Sequence, residues 1–423
     1  MSNIEIKPSK LGGSIDTPPS KSICHRAIIA AALSNGTSHI KPIVPSDDIL
    51  ATLNAIESLG ASITSVENTL SITGKGYPIL TNPIIDCNES GSTMRFIIPP
   101  VLLTGEKAVV TGKGRLSKRP LEPYVEIFNR QNIIYHMDED NLPLYIKGKL
   151  LPGSFEVRGD ISSQFITGLM FALPLLREDS TIDITGELES KGYIDLTIDV
   201  LKAFSIDIIN DGYKRFYIPG NQAYKPIKYI VESDFSQAAF FLVAGALGNN
   251  IICRGLNIKS TQGDRVILDI LQKAGCSISN SKEYISVSPS MLNGLDIDVK
   301  NCPDLVPILA VLGSLSNGMT RIYNAQRLRY KESNRLKAIS SELSKIGAYI
   351  KETDDGLLIN GRPYLDGGEV DSWNDHRIAM ALSIASTRCK QPITIRNSQA
   401  VKKSYPHFFD DFISLGGIVH AYE

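Results

Sequence analysis

KSICHRAIIAAAL, residues 21–33, opens on a lysine and a serine, places an arginine one turn later, and then runs almost wholly apolar. A helix of that composition has no wet face and must be buried all round. Five further stretches repeat the design: GSTMRFIIPPVLL, SSQFITGLMFALPLL, SDFSQAAFFLVAGAL, CPDLVPILAVLGSL and NDHRIAMALSIAS. With Ser22, Gly91, Ser162, Asp234, Asp304 and Asp375 as start markers, the copies stand 69, 71, 72, 70 and 71 residues apart. So even a period along the chain marks one supersecondary unit used six times.

A second element keeps the same interval. LNAIESLGASI, VEIFNRQNIIY, IDVLKAFSIDI, LDILQKAGCSI, SELSKIGAYI and DDFISLGGIV are amphipathic and run into Gly60, Asn132, Ser205, Gly275, Gly347 and Gly416. Glycine or asparagine after a helix suits the left-handed backbone of a C-terminal stop. Short β-rich runs such as AVVTGKG, TIDITGE and ITIRNS lie between the helices. Two helices and several strands per 70 residues predict an α/β fold of six related units. A solenoid is the alternative, but its period is usually about 20–50 residues. Six units divide into two domains of three, with YKPIKYI (224–230) as the junction. The expected domains are 20–229, and 1–19 together with 230–423. The early strand IEIKPS and the proline-bearing DTPPS (16–20) read as crossover strands.

Composition narrows the function. Of 423 residues, 43% are hydrophobic, and 44 basic against 45 acidic residues leave a net charge of -1. Nucleic-acid binding normally leaves a basic excess, whereas a neutral total can still hide a few clustered cations for a small anion. Cys24, Cys87, Cys253, Cys276, Cys302 and Cys389 are scattered, with no C-x-x-C, and read as buried free thiols. No stretch approaches the ~20 apolar residues of a membrane span, and MSNIEIKPSK has no signal core. A cytoplasmic protein is expected.

The apolar helices carry the functional signal at their starts. A helix N-terminus offers unpaired N–H groups and about half a positive charge, so several together attract anions. If three such helices pack in parallel in each domain, two facing domains would form a cleft for a polyanion. Ser, Asp and Asn at these starts are ordinary caps. Lys21, Arg95, Arg335 and Arg377 are not, because the dipole opposes a cation in a first turn.

Taken in order, PSKSICHRA, ESGSTMRF, LSKRP, DISSQFITGLM, ESKGYIDLT, NCPDL, YKESNRL, WNDHRIAMAL and VKKSYPHFF resemble the 5-enolpyruvylshikimate-3-phosphate synthases over nearly the whole chain. The resemblance implies two similar domains, each of three βαβαββ units, with the active site in the interdomain cleft. It implies no metal and no cofactor, and a monomer whose partners are the substrates shikimate 3-phosphate and phosphoenolpyruvate, not nucleic acid or membrane. By the same likeness, Lys21, Ser22, Arg26, Ser162, Ser163, Gln164, Ser190, Tyr193, Asp304 and Lys331 bind shikimate 3-phosphate. Lys21, Gly91, Arg119, Gln164, Arg335, Arg377 and Lys403 surround phosphoenolpyruvate. Arginine forks suit its phosphate and carboxylate, and Gly91 lets backbone approach the ligand. Asp304 is expected to take the 5-hydroxyl proton, Glu332 to protonate the methylene carbon, and Lys21 to attend the bridging oxygen and departing phosphate.

Some positions depart from the family pattern. Glu89 stands where many members have Asn, Asn334 where Asp is common, and Pro19 where P-G-S-K-S is commoner. Two rivals are weighed, the first with the same fold and donor and the second reusing related α/β units to bind nucleic acid. The UDP-N-acetylglucosamine enolpyruvyl transferases typically have K-N at the first helix and a loop cysteine, whereas TGKGRLSKRP (111–120) has none. The RNA 3′-phosphate cyclases are opposed by the net charge and by the missing histidine-glycine motif.

Overall fold

The computed structural model describes residues 3–139, 141–281 and 283–422. The chain forms two compact units. One spans Lys21–Val231; the other joins the N-terminal segment up to Ser20 with Glu232 onward.

In the first unit the helices are α1 (Lys21–Leu33), α2 (Asp47–Ser58), α3 (Gly91–Thr104), α4 (Glu122–Arg130), α5 (Ser163–Ala172) and α6 (Lys191–Ala203). In the second they are α7 (Phe235–Ala246), α8 (Ile267–Lys273), α9 (Val306–Ser314), α10 (Arg335–Lys345), α11 (His376–Ala385) and α12 (Phe408–Ser414). The odd-numbered helices are the apolar set. Every residue of α7, α9 and α11 is buried, as is nearly all of α5. Lys21 and Ser22 at the start of α1, and Ser162 and Gln164 at the start of α5, keep partial exposure. The six predicted stops all turn left-handed: φ is 85° at Gly60, 53° at Asn132, 67° at Ser205, 106° at Gly275, 92° at Gly347 and 97° at Gly416. Each ends an even-numbered helix.

Among the described residues six four-stranded sheets complete the repeats, three per unit, and all follow one rule. The second repeat shows it. Ile84–Asp86 pairs parallel with Lys107–Thr111, which pairs antiparallel with Asn141–Lys147, which pairs antiparallel with Ile134–Asp138. The connection of the parallel pair runs through the apolar helix, as a βαβ crossover must. Three sheets borrow a strand from elsewhere in the chain. Lys228–Ile230 lies parallel to Asn35–Lys41 and supplies the first strand of repeat one. Gly12–Asp16 lies parallel to Asn250–Arg254 and does the same for repeat four. Asn3–Lys7 fills the third place in the sheet of repeat six, between Ile393–Arg396 and Ile418–Tyr422. All six cysteines are buried and none is in a disulfide. Among the described residues no helix is long and apolar enough to cross a membrane.

Candidate active site

Within the first unit, the starts of α1, α3, α5 and α6 are tied to one another by side chains. Arg26, one turn into α1, is almost fully buried. It donates from Nε to Thr197 Oγ1 at 2.8 Å, from Nη1 to the Ser22 carbonyl at 2.7 Å and from Nη2 to the Tyr193 carbonyl at 3.0 Å. Its guanidinium lies 5.0 Å over the Phe96 ring. Burial lowers it to about 10, with Tyr193 and Tyr229 pulling the other way. Lys21 pairs with Asp48 at 2.6 Å.

At the start of α3, Gly91 lies against the Arg119 guanidinium, so closely that a methyl group there would overlap it. Gln164 accepts from Arg95 Nη1 at 2.8 Å and donates to Ser92 Oγ at 3.0 Å. Gly91, Arg119 and Gln164, drawn from three separate motifs, are thus brought together. Ser162 caps α5 by accepting from the Gln164 N–H at 3.3 Å, and Ser163 follows it. Ser190 precedes α6 with φ 58° and ψ 42°, and its hydroxyl does not cap the helix. A serine held left-handed is strained by about 1–3 kcal/mol, a cost that clusters where function requires it.

The second unit holds the carboxylates. Arg335, 1% exposed, donates from Nη1 to Asp304 Oδ1 at 2.9 Å, from Nη2 to Glu332 Oε2 at 2.6 Å and from Nε to Asp375 Oδ2 at 2.8 Å. Arg377 Nη2 reaches the other Asp304 oxygen at 2.9 Å, and Lys331 Nζ stands 3.8 Å from Oδ1. Burial pushes the Asp304 carboxyl up, but Arg377, Lys331 and Arg335 together outweigh it and hold it well below the usual carboxylate range. Burial lowers the Lys331 ammonium to about 8 against the opposing pull of Asp304 and Glu332. Trp373 and Asn374 are consecutive left-handed residues, with φ of 55° and 53°. Lys403 donates to the Asn374 carbonyl at 2.7 Å, immediately before Asp375 caps α11.

Three comparisons with known proteins bear on the family of the chain. The sequence profile described as EPSP synthase (3-phosphoshikimate 1-carboxyvinyltransferase) matches residues 6–412. The chain belongs to the EPSP synthase family. It is 54% identical over 428 residues to the 3-phosphoshikimate 1-carboxyvinyltransferase of Clostridium novyi, covering 99% of this chain and 98% of the relative. With that of Clostridium acetobutylicum the identity is 53% over 426 residues, covering 100% and 99%. An EPSP synthase structure from Acinetobacter baumannii superposes with a TM-score of 0.83 at 26% identity, each chain fully covered. The enolpyruvyl transferase NikO from Streptomyces tendae shares the fold, with a TM-score of 0.80 at 16% identity and coverage of 99% and 98%.

Beside the EPSP synthase motifs stand two residues that sequence reasoning did not assign to the site. Asp48 follows Ser46 and Asp47 and reads as part of a helix cap; only its pairing with Lys21 reveals more. Asp375 does cap α11, through the Arg377 N–H at 3.0 Å, but it also holds Arg335 and accepts from Ser333 Oγ at 3.0 Å. Asn334, the departure from the family's common Asp, still caps α10, accepting from the Lys337 N–H at 3.2 Å.

Proposed function

We propose that the two sets of helix starts serve one reaction, the transfer of the enolpyruvyl group of phosphoenolpyruvate to the 5-hydroxyl of shikimate 3-phosphate. The observation that carries this reading is Asp304, a carboxylate kept ionised among Arg335, Arg377 and Lys331. Ser22, Arg26, Ser162, Ser163, Gln164, Ser190, Tyr193 and Lys331 hold shikimate 3-phosphate. Lys21, Gly91, Arg119, Gln164, Arg335, Arg377 and Lys403 hold phosphoenolpyruvate. The enzyme works as a cytoplasmic monomer.

The chemistry is addition followed by elimination. The 5-hydroxyl oxygen attacks the enol carbon as the methylene carbon takes a proton, giving a tetrahedral adduct. The adduct then returns a proton from the new methyl group and expels phosphate. Asp304 is a weak base in its cationic surroundings, but the oxygen that has begun to bond to carbon is strongly acidic, so a weak base suffices. Glu332, entering in its protonated form and oriented by Arg335, delivers the proton to carbon and recovers it on elimination, while the proton taken by Asp304 leaves with the phosphate. Lys21 meets the charge on the bridging oxygen and departing phosphate.

Acceptor choice tests the reading. Phosphate release from phosphoenolpyruvate is expected with shikimate 3-phosphate and not with UDP-N-acetylglucosamine; equal turnover with the nucleotide sugar would refute it. A second expectation concerns pH. An ammonium lowered to about 8 is fully charged below that value and lost above it. Affinity for the shikimate 3-phosphate anion therefore holds below pH 8 and weakens as pH rises through it. Isothermal titration of Lys331→Met should give weak, pH-flat binding over that window. A variant profile parallel to that of the parent would remove Lys331 from this role.

A further inference from the structure

The turn that leads into α11 carries a residue that does not suit it. The Asp375 N–H donates to the Ser372 carbonyl at 2.9 Å, closing a β-turn whose central residues are Trp373 and Asn374. Both are left-handed, with φ of 55° and 53°. Turns with two left-handed central residues are filled mainly by glycine, asparagine and aspartate, and a bulky side chain there is strained. Asn374 fits the turn. Trp373 does not, so its side chain must hold it there.

The indole packs at the edge of the core of its unit, as any large apolar group could. Its Nε1 also donates to Glu342 Oε1 at 2.8 Å, which only an N–H can do. Glu342, on α10, is 1% exposed. Its second oxygen, Oε2, accepts from the Asp371 N–H at 2.9 Å, just before the turn. Burial pushes this carboxyl up, but bonds from Lys345, Trp373 and the Asp371 N–H outweigh it and hold it below the usual range. Both oxygens therefore act as acceptors. The bonds made within the turn are local: Asp371 accepts from the Trp373 N–H and Ser372 Oγ from the Asn374 N–H. Neither depends on which side chain stands at position 373.

On its other side the turn is tied to the segment that carries Lys403. Asn397 Nδ2 donates to Asp371 Oδ2 at 3.1 Å, and the Asn397 carbonyl accepts from Ser372 Oγ at 2.9 Å. The short helical segment Ser398–Lys403 follows, and Lys403 Nζ returns to the Asn374 carbonyl at 2.7 Å. A peptide plane is aimed only by the backbone dihedrals that flank it. Relaxing Trp373 and Asn374 out of the left-handed region would carry the Asn374 carbonyl away from that ammonium.

We propose that Glu342 is a positioning residue for phosphoenolpyruvate binding: by pinning the Trp373 indole it keeps the turn left-handed, and through the Asn374 carbonyl it fixes the Lys403 ammonium. This rests on the reading that Lys403 holds phosphoenolpyruvate, and it adds Glu342 and Trp373 to the support of that site. Glutamine has the size of glutamate but a single acceptor oxygen. It cannot accept from both Trp373 Nε1 and the Asp371 N–H; whichever way its amide faces, one donor meets another.

The crystal structure of Glu342→Gln is the first test. Trp373 should leave the left-handed region, with the Asn374 carbonyl out of hydrogen-bond reach of Lys403. An unchanged turn with that contact intact overturns the proposal without reference to activity. In steady-state kinetics, Glu342→Gln should raise KM for phosphoenolpyruvate about tenfold, the scale of one hydrogen bond to a charged group, with smaller changes in kcat and in KM for shikimate 3-phosphate. Adding Trp373→Asn to Glu342→Gln should return most of the lost affinity, since asparagine takes the left-handed turn without a pin. In a Lys403→Met background, Glu342→Gln should raise KM no further, because both act through the same ammonium. An unchanged KM in Glu342→Gln, no rescue by Trp373→Asn, or additive effects with Lys403→Met would each contradict the proposal. The crystal result decides the turn whether or not the parent uses phosphoenolpyruvate with shikimate 3-phosphate; a parent that does not would strike the reaction instead.

Discussion

Asp304→Asn and Glu332→Gln are each expected to lower turnover by roughly 10²–10⁴-fold, the range for a group that moves a proton in the transition state, while shikimate 3-phosphate still binds. The two variants should differ in one respect. Asp304 lies between Arg335 and Arg377, bonded to both. Neutralising it leaves those guanidiniums with less opposing charge, so affinity for the phosphoenolpyruvate anion should hold or tighten in Asp304→Asn as kcat collapses. Glu332 touches Arg335 alone among the two, so Glu332→Gln should shift affinity less. Stopped-flow turnover with calorimetric binding separates these effects. Turnover of both variants within a few-fold of the parent would show that neither carboxylate moves a proton.

The second large effect is on stability. Arg335→Met removes the cation that holds Asp304, Glu332 and Asp375, the last with no exposure at all. Breaking a buried ion pair from one side leaves uncompensated charge and costs about 3–5 kcal/mol. Trp373, the only tryptophan, offers a probe inside the same unit: its Nε1 donates to Glu342 on α10 at 2.8 Å. Urea unfolding followed by tryptophan fluorescence should show the Arg335→Met transition moved to much lower denaturant. A loss below about 1 kcal/mol, the scale of an exposed pair, would mean that the buried cluster contributes little to holding this unit together.

The repeat, the two kinds of helix and the left-handed stops were legible because burial and helix termination act locally. A helix without a wet face announces itself in composition, and Gly275 or Asn132 announces itself in backbone conformation. The borrowed strands were not legible in the same way. Lys228–Ile230 has three residues and Gly12–Asp16 has two glycines, too little for an alternating pattern, and their partners lie far away in the chain. IEIKPS and DTPPS gave only the suspicion of a crossover. At the site, cations in first turns were legible because capping cannot account for them. The sharing of Arg335 among three carboxylates was not, since it joins residues 3, 31 and 40 positions apart. Asp48 was hidden by looking like a cap.

The central claim is that residues of both units act on one pair of substrates in a single transfer. Phosphorus NMR of the parent with phosphoenolpyruvate and shikimate 3-phosphate tests it most directly. The account predicts that the phosphoenolpyruvate signal is replaced one-for-one by inorganic phosphate, only when both substrates are present. The shikimate phosphate should persist, shifted, in the product. Phosphate released from phosphoenolpyruvate alone, or taken from the shikimate phosphate, would contradict it.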